Sequence, residues 1–364
     1  VSSPLTRRFV SEPFPQQLVS PFGRVRVADV YTHADIVNTY RIDPFDWSVV
    51  TANGGTVEHL PNESAILLSV TGSNGSRALL RTREAFRYQA GKALCPIFTV
   101  AHGEAGNTNQ IRRWGYWDDA DGYFFQLSGT NLSLVLRSST SGSVVDTEIA
   151  QANWNVRRLE TLDLTTINIY EMVWSWLGAG GVQAFVNEEL VNDDDRTATQ
   201  PSPFTRTAQL PLSFEIVNVG PSEPGSMKHV CGSVLSDGGD DPPFHSFVHQ
   251  MPTEVSVGTT EVPLFTLRAG SLFNGITNRR VLLPTGMEFQ SEFARSSFGL
   301  VWNASLTGAT FAVTPDADSS AQVDVAATSL SGGTNLGRVT VPASDARHRD
   351  LKDVFAHNGR RLRG

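Results

Sequence analysis

What most limits the fold of this chain is how often its apolar runs are interrupted. Ala65–Thr71, Tyr123–Leu127, Leu132–Arg137, Val144–Ala150, Val182–Val186 and Leu212–Val217 are short, rich in β-branched and aromatic residues, and bounded by turn chemistry. Ser73-Asn74-Gly75-Ser76, Ser128-Gly129-Thr130-Asn131 and the stretch 138–143 supply the interruptions. One strand and one turn in about ten residues is the spacing of sandwiches and barrels. An amphipathic helix needs its period of about 3.6 residues to continue for longer than these turns allow. Glycine has no three-residue period and heptads never accumulate, which excludes collagen and coiled coil. The expected fold class is all-β.

Ile167–Leu177 alternates strictly, with Tyr170, Met172, Trp174 and Trp176 on one face and Glu171, Val173, Ser175 and Leu177 on the other. Gly178-Ala179-Gly180-Gly181 turns it into 182–186, and Asn187-Glu188-Glu189 leads on to Leu190-Val191. This stretch of about twenty residues looks like a hairpin of concanavalin-type lectin sandwiches.

The Gly, Asp and Pro residues between Ser236 and Pro243 mark a linker, 236–253. It separates a larger β-sandwich domain, 27–235, from a smaller one, 254–343; jelly-roll and concanavalin-like arrangements both fit. Val25–Val30 and Cys231–Leu235 are the outer strands expected in the larger domain. Glu254–Val257, Pro263–Arg268, Arg280–Leu283, Glu288–Phe293, Phe298–Trp302, Thr310–Thr314, Ala321–Val325 and Arg338–Val341 are the strands expected in the smaller one. Residues 1–26 contain prolines at 4, 13, 15 and 21 and read as an extended arm. The arm carries Phe9, Phe14, Leu18 and Phe22, and either packs on its own domain or lies over a neighbouring subunit. Residues 344–364 read as a short helix and a basic tail. Ser344 is the N-cap, Arg347, Leu351, Val354 and Phe355 follow at helical spacing, and Asn358-Gly359 is the stop. The tail is a solvated end or a peg on an acidic partner.

There are 29 basic against 37 acidic residues, a net charge of −8. That argues against a nucleic-acid coat, which needs a basic surface. Of the basic residues all but Lys92, Lys228 and Lys352 are arginine. A GC-rich genome explains such a bias, and so does an interface, where the guanidinium pairs bidentately and stacks. The first 25 residues lack the apolar run of an export signal, and Ile167 to Val186 is broken by Glu171 and four small residues. Synthesis in a cytoplasm without export or a membrane anchor is the expectation. Cys95 and Cys231 are too few for a disulfide framework or a four-ligand zinc site, and both are expected to be reduced and buried.

No nucleophile elbow, phosphate loop, dinucleotide fingerprint or zinc-protease helix is present. His245 and His249 have a metal-ligand spacing only on a helix, which Pro242-Pro243 disfavours. Asp193-Asp194-Asp195 lacks the spaced pattern of a calcium loop. Asp118, Asp119, Asp121 and Glu148 are carboxylates from which a glycosidase pair could be drawn. Trp114-Gly115-Tyr116-Trp117-Asp118-Asp119 sets aromatics beside acceptors, with Trp114 and Tyr116 expected in the core and Trp117 at the rim. Trp117, Asp118, Asp119, Trp174 and Trp176 are the candidates for a glycan or partner contact. Arg7, Arg8, Phe9, Phe14, Arg360, Arg361 and Arg363 are the candidates for an assembly interface. No catalytic, cofactor or metal residue is assigned.

Several stretches together resemble virion structural proteins of tailed bacteriophages and related environmental viruses. They are 22–27, 83–92, Arg113–Asp119, Gly122–Leu127, Asp146–Gln151, Asn153-Trp154-Asn155, Thr259–Leu264 and Asn303–Ala309. The resemblance covers most of 22–335 and brings no catalytic motif. It implies a non-enzymatic virion protein of tail, neck, fibre or capsid surface that needs no cofactor. Its partners would be copies of itself, a trimer being the form suggested, and other virion proteins. The alternative is a carbohydrate- or host-receptor-binding module of a tail or spike, with a host surface glycan as partner. A third reading is a polysaccharide-cleaving tail enzyme.

Overall fold

Strands that carry apolar residues on both faces need cover on both sides, and this governs the first part of the chain. The computed structural model describes residues 30–175, 181–194, 202–239, 247–251, 253–313, 318–351 and 362–363. The chain divides into two units, 1–242 and 243–364. Every strand pairing among the described residues is antiparallel, and the lone departure from strand and turn is a 3-10 turn at Gln151–Asn153. No helix among them is long and apolar enough to cross a membrane.

The first unit holds β1 (Val30–Val37), β2 (Trp47–Ala52), β3 (Thr56–Leu60), β4 (Ala65–Val70), β5 (Arg77–Thr82) and β6 (Phe86–Arg87). Then come β7 (Leu94–His102), β8 (Gln110–Trp117), β9 (Gly122–Ser128), β10 (Asn131–Ser138), β11 (Val145–Ala150) and β12 (Asn168–Trp174). The last are β13 (Val182–Val186), β14 (Glu189–Asp194), β15 (Gln209–Leu210), β16 (Leu212–Asn218) and β17 (Gly225–Asp237). One sheet has eight strands in the order β14-β13-β12-β7-β17-β4-β3, with β1 also on β17. The other has seven, in the order β11-β10-β9-β8-β16-β5-β2. The first unit is therefore a β-sandwich.

Between the sheets the aromatic side chains interdigitate. Tyr170 of the eight-stranded sheet meets Trp114 and Phe125 of the other, with ring centres 5.4 and 4.9 Å apart. Phe98 meets Phe214 at 5.8 Å, and Trp174 meets Tyr116 at 6.0 Å. All are fully buried. Each such side chain contributes about 1.5–3 kcal/mol by burial. A second apolar layer lies on the outer face of each sheet. Leu79, Trp117, Phe124 and Val135 form one, and Ala93, Cys95, Val173, Phe185 and Leu190 the other. Strands β7 and β8 escaped the sequence reading for this reason: polar His102, Gln110 and Arg112 are buried in them, which blurs the apolar pattern.

The second unit is also all-β. Its strands are β18 (Thr266–Ala269), β19 (Leu272–Phe273), β20 (Ile276–Thr277), β21 (Val281–Leu282), β22 (Gly286–Ser291), β23 (Ser296–Trp302) and β24 (Ser305–Thr307). They are followed by β25 (Ala312–Val313), β26 (Ala321–Asp324), β27 (Ser329–Ser331), β28 (Thr334–Val341), β29 (Asp345–Asp350) and β30 (Leu362–Arg363). Among the described residues they form one three-stranded sheet, β18-β26-β25, and five two-stranded ladders. The apolar residues buried there are Ala321, Val323, Ala327, Val341 and Leu351.

Three expectations are corrected. The segment expected to start a C-terminal helix at Ser344 is strand β29, paired with β22 from Ser291↔Asp345 to Gly286↔Asp350. Cross-strand bonding outweighs the weak helical periodicity there, and Ser344 has φ +54°, a left-handed turn residue rather than a cap. Glu254–Val257 forms no strand; Val255 and Val257 are exposed. Of Val25–Val30, only Val30 is described, as the first residue of β1; the arm 1–26 lies outside the described residues. Neither cysteine is in a disulfide; Cys95 is buried but Cys231 is only half-buried. Leu235, not Cys231, faces Cys95 across β7 and β17. Four residues of strand at about 3.3 Å each separate the two thiols, well beyond the roughly 7 Å reach of a disulfide.

Two histidines belong to the sandwich core. Burial, partly offset by the bond of its Nδ1 to the Thr99 carbonyl at 3.2 Å, lowers the pKa of His229 to about 4. Burial and then the charge of Arg112 lower that of His102 to about 3. Each ring is neutral in the folded state and protonates first in the unfolded one. Their contribution is complete above about pH 6.5 and is lost as pH falls toward 4 and 3. Urea unfolding should show stability falling by about 1.4 kcal/mol per pH unit for each ring in that window. His229→Phe should flatten the slope; an unchanged slope would place the loss elsewhere.

Candidate functional site

Alternation along β8 sends Trp114 and Tyr116 into the core and Arg113, Gly115 and Trp117 to the outer face of the seven-stranded sheet. Trp117 is not at a rim. It is 1% exposed, with the Arg81 and Arg137 guanidiniums 5.2 and 5.5 Å from its ring centre. Arg137 also lies 5.3 Å from the Phe124 ring. The indole Nε1 donates to the Ser213 carbonyl at 3.1 Å. Both guanidiniums are pinned in turn. Arg81 donates to Asp119 and Ser213 at 2.9 Å, and Arg137 makes a two-pronged pair with Asp146 at 2.8 Å. Further along the face, Arg77 and Arg113 converge on the buried Glu215 at 2.6 and 2.7 Å. This is a sheet face whose apolar strip is roofed by paired arginines. A sugar ring cannot stack on an indole so covered.

Three of the four candidate carboxylates are committed to structure. Asp118 Oδ1 accepts the amides of Ala120 and Asp121 at 2.9 Å and closes the β8–β9 turn. Asp121 is buried and accepts the Ser139 amide and hydroxyl and the Arg206 amide. Partial burial pushes the Asp119 carboxyl up, but the bond and charge of Arg81, with Arg77 and Arg137, hold it below its ordinary value. Glu148 stands exposed on the edge strand β11. Trp174 is in the core, 1% exposed. Trp176, Arg7, Arg8, Phe9, Phe14, Arg360, Arg361, His245 and Asp195 lie outside the described residues. Arg363 is placed by its backbone in β30, paired with Val281 of β21. Among the described residues no group of three His, Cys, Asp or Glu could hold a metal ion.

A polar cleft of about 390 Å³ opens at one end of the sandwich, where Gly106, Asn109, Gln110, Ser128, Thr130 and Asn131 are among its lining residues. The sequence reading treated Ser128, Thr130 and Asn131 as turn residues and did not single out the others. Its walls are held by backbone geometry. Asn109 has φ +60°, with its amide on the Pro221 carbonyl at 2.9 Å. Gly106 has φ +131°, and a Cβ there would strike the Gly129 carbonyl. Below them Arg112, 1% exposed, donates to Gln110 at 2.6 Å and pairs with Glu104. Burial lowers its pKa to about 10. The cleft offers hydroxyls, amides and carbonyls to a neutral polar ligand.

No protein-family model matches the chain, and no curated protein is similar to it in sequence. Solved structures show slight likeness. The potassium-bound carbohydrate recognition domain of Emp46p is 10% identical, with 56% of this chain and 96% of that one covered and a TM-score of 0.36. The endo-β-1,4-glucuronan lyase of the fungus Trichoderma reesei is 12% identical over 55% and 94%, with a TM-score of 0.38. The botulinum neurotoxin DC binding domain, solved with rat synaptotagmin II, is 9% identical over 56% and 48%, again at 0.38. At these values the likeness carries no argument about function.

Replacing both Arg77 and Arg113 with Met leaves Glu215 without its two cations. Its side chain is 3% exposed, so the double change should cost about 3–5 kcal/mol in urea unfolding. Adding Glu215→Leu should restore much of it. A double variant as stable as the parent would show that this carboxylate does not need the pair.

Proposed function

We propose that this chain is a non-enzymatic structural protein that works by assembling with copies of itself. The resemblance in its sequence supplies the setting, a virion component of a tailed phage in tail, neck, fibre or capsid surface, with other virion proteins as further partners. The observation that carries the reading is the contrast between the units. The first has a continuous core of fully buried aromatics. The second, residues 243–364, buries only two alanines, two valines and a leucine among the described residues. A unit of that size ordinarily buries a real core, and two-stranded ladders are marginal by themselves. Three of the four acids from which a hydrolytic pair could be drawn, Asp118, Asp119 and Asp121, are occupied in turns and ion pairs, which supports a non-catalytic role. Light scattering on the purified chain should show more than one copy per particle. A well-behaved monomer at micromolar concentration would overturn the reading.

One observation favours a second reading, the carbohydrate- or receptor-binding module. The polar cleft presents Thr130 and Asn131, both exposed, beside a wall fixed by buried Gln110 and Arg112. A sugar is bound by just such hydroxyl and amide groups. The chain should then retain a glycan on an array, with Asn131→Ala weakening it at least tenfold. Absence of any bound glycan, or binding indifferent to that change, would remove this reading.

A further inference from the structure

We propose that the apolar face of the ladders β22/β29 and β23/β28 is the surface through which copies of this chain associate. This inference rests on the assembly reading and assigns it a place. Both ladders are built to be covered on one side. In β22, Met287 and Phe289 are half-buried while Gly286, Glu288 and Gln290 are exposed. In β23, Phe298 and Leu300 are half-buried while Ser297 and Gly299 are exposed. Phe298 faces Val339 of β28, also half-buried. The Phe289 and Phe298 rings are 4.9 Å apart, so the two apolar stripes adjoin. In the sandwich the inward residues at equivalent alternate positions are fully buried. Here the same alternation stops at half cover. Among the described residues neither ladder has a third strand, so each presents open strand edges.

The occupant that fits is another copy of the same unit. From residue 243 onward the chain has eleven basic and ten acidic residues; before it there are eighteen and twenty-seven. The second unit can therefore meet its own copies without net repulsion, while two first units would repel. A strongly charged foreign partner would find no complementary field there. Arginines stand on the same face beside the apolar stripe. Arg347 and Arg349 of β29 stand opposite Phe289 and Met287, and Arg347 is paired with Asp345 at 3.0 Å. Arginine beside aromatics is the composition of an interface rather than of a solvated face. Identical faces meeting about a symmetry axis close into a finite particle.

The test uses the full chain. Phe298→Asp should raise the dissociation constant of the particle at least tenfold, read by light scattering, with melting of the first unit unchanged. Gly299→Asp, on the opposite side of the same strand where a Cβ meets open space, should leave association intact. Because Phe298→Asp could unfold the second unit, hydrogen exchange on the unmodified chain gives a separate readout. Amides of 286–302 and 334–341 should exchange faster on dilution below the dissociation concentration, while those of β7 and β16 do not change. Particles that survive Phe298→Asp, or exchange in these strands that ignores dilution, would overturn the assigned face and leave assembly standing. An unmodified chain that is monomeric throughout would overturn both.

Discussion

The interlocking of aromatic rings between two sheets is the contact on which the first unit depends. Tyr170 from one sheet enters between Trp114 and Phe125 of the other, and Phe98, Phe214 and His229 continue the layer. These rings set the spacing of the sheets and exclude water from the interior. They also impose a condition on every polar group trapped with them. His102 and His229 stay neutral there, and Arg112 is tolerated only because Glu104 and Gln110 receive it. Burial of an unpaired charge would cost more than a single ring contributes.

The same condition shapes the outer face of the seven-stranded sheet. Once Trp114 and Tyr116 turn inward, Trp117 must turn outward. An exposed strip of Trp117, Phe124, Leu79 and Val135 would invite aggregation. Arg81 and Arg137 cover it, and Asp119 and Asp146 hold the arginines in place. Residues that read as a binding platform thus form a sealed surface. Polar groups accessible to a small ligand lie instead at the end of the sandwich, on turns whose shape comes from Gly106, Asn109 and Gly129.

Among its described residues the second unit buries only Ala321, Val323, Ala327, Val341 and Leu351. Its strands alternate as regularly as those of the first, yet the apolar side of each ladder remains half open. Short Ser-, Thr- and Gly-rich strands have little to interdigitate. The stability missing from one copy is what association supplies in the proposal above.

The all-β class, the strands near 65–70, 123–127, 132–137, 145–150, 168–174, 182–186 and 212–217 and the turn at 73–76 were legible in the sequence because they depend on local alternation and turn chemistry. So was the core position of Trp114 and Tyr116. Other features depend on contacts between distant residues, and only the tertiary structure decided them. Trp117 is covered because Arg81 and Arg137, remote in sequence, lie over it. Asp345–Asp350 is a strand because Gly286–Ser291 offers it an edge, although its own spacing suggests a helix. Cys95 and Cys231 stay apart because β7 and β17 pair in a register that sets Leu235 opposite Cys95. Alternation along a strand tells which residues share a face; which face is covered, and by what, is settled only when sheets meet.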